Sequence, residues 1–242
     1  MGTRFELVLV GDDAERHRPA GEAALELILE AHRRFTRFEP SGIGAHLARR
    51  AGAPVAVDPD TFGLFADAGL VWRRSEGAFD LTGAARAMNT LHLDPAARTV
   101  TLTRADVELD FGAIAKGHAL DLAAALLRNA GVESAFLHGG TSSAIGIGTP
   151  PGEPGWRVAL GSESGASTTL LRDQALSVSA TWAGNPHPTV DPRTGESLKG
   201  PRRVAVVGPS ARLADAWSTA ILVSGQRPTL GPDWSIWIAE IS

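Results

Sequence analysis

The chain predicts an α+β fold organised as one domain over residues 1–242, rather than a doubly wound sheet. Three observations carry this. Helix-like and strand-like stretches interleave without a strict β-α-β rhythm. No internal repeat is detectable. No polar stretch is long enough to mark a domain boundary.

The elements follow in order. Phe5 to Val10 alternates and reads as a strand. Residues 19–35 read as an amphipathic helix, with Glu22 and Glu26 early and Arg33 and Arg34 late, in accord with the helix dipole. Residues 61–74 read as a second helix with apolar Phe62, Leu64, Phe65 and Leu70. Thr99 to Leu102 and residues 107–111 read as a short hairpin. Residues 115–130 form a third helix, ended by Gly131. A strand over 134–137 enters Gly139-Gly140, and 148–155 (GTPPGEPG) is a loop. Strands are expected at 156–160, 204–207 and 234–238, with a helix at 211–223.

Composition narrows the function. With net charge −4, pI about 6.0 and scattered basic residues, no nucleic-acid surface is expected. Cysteine is absent, which excludes disulfides, thiolate metal sites and cysteine nucleophiles. No run approaches the ~20 apolar residues of a membrane-spanning helix. MGTRFELVLV lacks the basic and apolar regions of a signal peptide. The expectation is a cytoplasmic protein, or one from which an export signal has been removed.

Lys116 is the most informative residue. Of 23 basic residues only Lys116 and Lys199 are lysine. A lysine at a helix start opposes the helix dipole, so an anionic ligand such as a phosphate is the natural reason for one there. Asp121 follows on the same helix. Asp215 and Thr219 stand four apart and share a helix face. A carboxylate and a hydroxyl are hard oxygen ligands suited to Mg²⁺. The plainer reading is a threonine bonded to a backbone carbonyl one turn back and an aspartate serving the dipole.

Val190 to Gly195 (VDPRTG) is a turn signature, and His187 precedes it. Asp80 and Thr82 in FDLTG are a polar pair or a helix cap. His138 precedes Gly139-Gly140, where backbone could approach a ligand or merely turn tightly. His118, on the Lys116 helix, faces either the site or solvent.

In this order, the segments resemble the ApbE family of FAD:protein FMN transferases over almost the full length. MGT at Met1, FTRFEPS at 35–41, FDLT at 79–82, LDFGAIAKGHALD at 109–121, Gly139-Gly140, VDPRTG at 190–195 and ADAWST at 214–219 resemble the family's MGT, FSrFxPdSE, FDPT, lDLGgIAKGyavD, GGD, iiDPrTG and ADalsT. The resemblance implies an ApbE-like domain with a mixed or antiparallel sheet and packed helices. It implies FAD as substrate, Mg²⁺ on the pyrophosphate, and transfer of FMN to a Thr/Ser hydroxyl of an acceptor flavoprotein with release of AMP. It puts Met1, Phe38, Asp80, Asp110, Lys116, Gly139, Gly140 and Val190 against FAD. It gives the Ala113 carbonyl, Asp215 and Thr219 to the metal.

Four departures stand out. The family's histidine before DPRTG is Pro188 here, with His187 one residue earlier as the expected base and His138 as its competitor. The family's Trp-Gly-Phe-Gly segment after FDPT is absent. The GGD aspartate is Thr141, and an asparagine is replaced by Leu47. Two other readings remain open: a metal-dependent FAD hydrolase giving FMN and AMP, and a noncatalytic flavin-binding protein.

Overall fold

The computed structural model describes residues 3–11, 14–160, 167–182 and 189–240. Met1, His187 and Pro188, all singled out above, lie outside them.

Helix α1 (Ala14–Phe35) opens the helical layer after strand β1 (Phe5–Val10). It begins five residues before Pro19, the expected start. Proline favours the first helical position but does not dictate it; here Pro19 is an exposed residue inside the second turn, where the helix forgoes one hydrogen bond. Helix α2 (Ile43–Arg49) and strand β2 (Val55–Ala56) precede α3 (Pro59–Arg74). Asp58 caps α3, its side chain accepting from the Thr61 amide at 2.9 Å, and Pro59 follows at the first turn.

The expected hairpin forms differently. Strand β4 (Thr99–Leu102) pairs with β3 (Leu91–Asp94) and β2, not with 107–111. Asp94 makes the turn, accepting from the amides of Ala96 and Ala97, and Arg98 takes a left-handed φ of 49°. Val107, Leu109 and Phe111 are buried as their alternation suggests, but their segment joins no ladder. It is tied instead through the Asp110 amide to the Leu81 carbonyl at 2.7 Å. Alternation reports which side chains are buried, not which backbone they pair with.

Helix α4 (Ala115–Asn129) leads to β5 (Ser134–Gly139) and β6 (Ser143–Ile147). Strands β7 (Trp156–Ala159) and β8 (Thr168–Leu171) form a small separate ribbon. Strands β9 (Gln174–Thr181) and β10 (Arg202–Gly208), helix α5 (Ala211–Ser224) and strand β11 (Ser235–Glu240) complete the chain. The main sheet runs β1-β5-β6-β9-β10-β11, with every pair antiparallel.

Helices α4 and α5 cover one face of this sheet, and the main core lies between them. A second cluster, including Leu160, Leu171, Leu176 and Val207, covers the opposite face. Strands β6 and β9 are therefore enclosed on both sides. That removes the polar alternation by which a half-exposed strand is recognised, and neither was expected from the sequence.

No helix among the described residues is long and apolar enough to cross a membrane.

Candidate functional site

The start of α4 and the middle of α5 meet over β9. Lys116 lies in the first turn of α4, with Nζ 3.3 Å from the Gly112 carbonyl and 3.5 Å from Asp215 Oδ1. The anion facing this lysine within the protein is thus a carboxylate, and Asp215 is only 3 % exposed. Its Oδ2 accepts from the Gly117 amide at 3.1 Å, and its Oδ1 from Ser177 Oγ at 2.9 Å. A helix continuing back from Gly117 would give that amide to the Ala113 carbonyl. Here it goes to Asp215, and Ala113 stays in the turn before the helix.

A group of hydroxyls surrounds Asp215 and Thr219. Ser179 Oγ lies 2.8 Å from Ser218 Oγ and 3.2 Å from Thr219 Oγ1. Ser218 Oγ lies 3.3 Å from Ser177 Oγ and donates to the Asp215 carbonyl at 2.9 Å. Asp215 and Thr219, four apart on α5, offer hard oxygen donors with one carboxylate between them, and Ala113 lies in the turn that precedes α4. No group of three His, Cys, Asp or Glu that could hold a metal occurs among the described residues. A set this poor in carboxylates suits Mg²⁺, which keeps waters and takes substrate phosphate oxygens beside one or two carboxylates.

Asp110 extends the cluster. Its Oδ1 accepts from the Gly112 amide at 2.8 Å, and its Oδ2 from Arg37 at 3.1 Å. The Arg37 guanidinium lies 5.0 Å from the centre of the Phe38 ring, which is 81 % exposed. A chain of contacts therefore runs from Phe38 through Arg37, Asp110, Gly112 and Lys116 to Asp215.

Asp80 stands in a neighbouring cavity of about 380 Å³, together with Trp72, Arg73, Glu76, Arg86 and Arg193. Burial pushes its carboxyl above the usual range, while hydrogen bonds from Thr82 hold it down. Val190 bridges Ser197 and opens the expected turn, in which Gly195 has φ 76°. Arg193 grips Asp191 through two nitrogens at 3.0 and 2.8 Å, which holds the Asp191 carboxyl below its usual range. Through Arg193 the turn reaches the Asp80 cavity.

Gly139 and Gly140 are explained by strand β1. A Cβ on Gly139 would meet the Phe5 ring at 2.7 Å, and one on Gly140, at φ 61°, would strike Thr3. His138 points away from Asp215. Its register partners Ala144 and Leu176 belong to the second cluster, whereas Ser143 and Ser177, one step along, face the helices. Both His138 nitrogens are engaged, by the Gly140 carbonyl and Glu6 at 3.0 Å each. The competitor base is on the wrong face of the sheet.

Two more polar residues prove structural. The carboxylate of Asp121 caps α5, accepting from the Ala211 and Arg212 amides and Ser210 Oγ at 2.8–3.0 Å. His118 faces neither site nor solvent. It is 1 % exposed, and its Nδ1 lies 3.2 Å from Arg212 Nη1. Arginine can only donate, so Nδ1 accepts and the proton is on Nε2.

Burial, with the Arg212 charge, lowers the His118 pKa to about 3. Unfolded chains take up this proton below about pH 6.5, but the folded protein does not. Stability from this residue is full above pH 6.5 and is lost as pH falls toward 3, by at most about 1.4 kcal/mol per pH unit. His118→Gln is expected to flatten that acid limb in denaturant melts between pH 4 and 6.5. Asp80 and Asp121, whose carboxyls burial raises, act with the opposite sign and cancel between wild type and variant. Parallel pH profiles for the two proteins would show that His118 is protonated when folded.

The antiparallel sheet, its helical cover and the lysine and oxygen donors at α4 and α5 define an ApbE-type domain. The ApbE family matches residues 1–87 and 83–231, and the chain belongs to it. It is 28% identical over 276 residues to the FAD:protein FMN transferase of Rhodobacter capsulatus, a match covering 97% of this chain and 51% of that protein. The chain thus spans about half the length of this curated relative. Among solved structures it resembles the ApbE protein of Thermotoga maritima, with TM-score 0.78 and 23% identity over 92% of this chain and 84% of that one. It also resembles the flavin transferase ApbE of Vibrio cholerae, with TM-score 0.78 and 19% identity over 93% and 84%. At these identities the likeness speaks for the fold.

Sequence reasoning missed Ser177, Ser179 and Ser218 around the donor set. The available signal was a Ser-x-Ser pair placing two hydroxyls on one face of a strand.

Proposed function

We propose that this chain is an FAD:protein FMN transferase, which moves the FMN half of FAD to a Thr or Ser hydroxyl of an acceptor protein and releases AMP. The observation that carries the reading is the meeting of Lys116, at the start of α4, with Asp215 of α5, one turn from Thr219 on the same helix. A cation beside hard oxygen donors suits a pyrophosphate and its Mg²⁺.

Asp215, Thr219 and the Ala113 carbonyl would hold Mg²⁺, which supplies Lewis-acid stabilisation of the charged phosphates when bound. Lys116 has contacts to one carboxylate and one carbonyl, so its ammonium retains a third hydrogen for phosphate. Phe38 offers a ring face to an aromatic ring of FAD, with Arg37 and Asp110 fixing its surroundings. The family resemblance adds Met1, Asp80, Gly139, Gly140 and Val190 to the FAD-facing set.

The acceptor hydroxyl oxygen forms a bond to the FMN phosphorus while the pyrophosphate P–O bond breaks. The hydroxyl proton passes to His187, and AMP leaves.

Incubation with FAD and Mg²⁺, with and without an acceptor carrying a flavinylation site, tests this by AMP release. AMP formed only with acceptor is expected. AMP without acceptor would make the chain an FAD hydrolase, and bound FAD without AMP would make it a flavin-binding protein.

A further inference from the structure

We propose that Ser177 and Ser179 of β9 are positioning residues for the cation ligands Asp215 and Thr219, each serine orienting one of them. The inference rests on the Mg²⁺ reading above and deepens it. Strand and helix match in pitch. Residues two apart on a strand lie on one face about 6.7 Å apart. Residues four apart on a helix are separated by about 6 Å along its axis. The serine pair can therefore meet the ligand pair rung for rung: Ser177 Oγ reaches Asp215 Oδ1 at 2.9 Å, and Ser179 Oγ reaches Thr219 Oγ1 at 3.2 Å.

Each hydroxyl has one proton, so the protons can be assigned in turn. That of Ser177 goes to Asp215 Oδ1, and that of Ser218 to the Asp215 carbonyl. Ser218 has none left, so in the 2.8 Å contact between Ser179 and Ser218 it is Ser179 that donates. Ser179 in turn has none left for Thr219, so Thr219 donates to Ser179. A hydroxyl that ligates a cation must present a lone pair and send its proton elsewhere. Ser179 accepts that proton.

The ordinary alternative for a helical threonine is to donate to the carbonyl one turn back, here that of Asp215. That oxygen already takes the Ser218 hydroxyl, and the helix gives it the Thr219 amide. Both of its lone pairs are used. Ser177 is fully buried and, with the Gly117 amide, fixes the plane of the Asp215 carboxylate from two sides.

Mn²⁺, a spectroscopic substitute for Mg²⁺, would be titrated by electron paramagnetic resonance into the full chain, alone and with FAD. Ser177→Ala and Ser179→Ala are each expected to weaken Mn²⁺ binding by about 10–100-fold. Ser179→Thr should restore most of the loss, and both alanine variants should still unfold cooperatively in EDTA, with melting temperatures lower by roughly 2–12 °C. In a Thr219→Val background Ser179→Ala should cost nothing more, because its effect passes through Thr219. Wild-type Mn²⁺ affinity in both alanine variants would overturn the inference, as would an undiminished Ser179→Ala effect without the Thr219 hydroxyl. If wild type and Asp215→Asn bind Mn²⁺ equally, or neither binds it, the metal reading itself fails and this inference falls with it.

Discussion

Asp215→Asn is expected to lower Mg²⁺-dependent AMP release by ~10²–10³-fold, as befits loss of a main electrostatic group in an active site, while the protein stays folded. The carboxylate is the one negative side chain of the proposed donor set, so its loss removes most of the set's attraction for a cation. Asparagine is chosen because Asp215 also has structural partners. Alanine would leave the Gly117 amide and Ser177 hydroxyl without their acceptor, at about 1–3 kcal/mol for each unsatisfied group. An asparagine amide can keep its oxygen toward Gly117 and turn its nitrogen toward Ser177, whose hydroxyl oxygen then accepts. The decisive measurement is AMP release at limiting Mg²⁺, with thermal melting beside it. Wild-type release by a folded variant would remove Asp215 from the metal assignment.

The sequence made the helices easier to read than the sheet. Helices α3 and α4 show their apolar periodicity and near-expected bounds because each has one face on the core and another free of it, whereas α5, also near its expected bounds, is buried almost all round. Strands β6 and β9 lie under helices on one face and under the smaller cluster on the other, so period-two patterning is erased there. Residues 107–111 show the converse, with perfect alternation and no strand. Pro95 and Asp94 carried the true hairpin signal, a turn between apolar pairs.

Candidate site residues were legible as separate local motifs, but their meeting was not. Lys116 and Asp215 are 99 positions apart, and nothing in either motif names the other. Only the order of segments and its likeness to a family joined them. His138 shows the limit in reverse. A histidine beside two glycines looks like a site residue, yet strand register puts it on the face opposite Asp215. Register is a tertiary fact, set by which neighbours β5 acquires. The two glycines answer to β1 in the same way, through Phe5 and Thr3.

Gly117→Ala is expected to destabilise the protein by about 2–3 kcal/mol, although glycine to alanine within a helix normally gains up to about 1 kcal/mol. The sign reverses because α4 and α5 cross at this residue. A Cβ on Gly117 would fall on the carbonyl of Ala211, with the Arg212 amide nitrogen 2.7 Å away. These are backbone atoms held by the Asp121 cap, so they cannot rotate aside as a side chain would. The helices must part instead, loosening the packing between them. Gly63→Ala in α3 is the control, since its Cβ would meet only the end of the Arg212 side chain at 3.5 Å, an ordinary contact. At about 2–4 °C per kcal/mol for a chain of this size, melting should fall by roughly 4–12 °C for Gly117→Ala and hold or rise for Gly63→Ala. Function should suffer along with stability. The close approach that glycine permits is what brings its amide to 3.1 Å from Asp215 Oδ2, so parting the helices also frees the carboxylate. Equal melting temperatures for the two variants would mean that α4 and α5 separate without cost, and that the glycine is not there for the crossing.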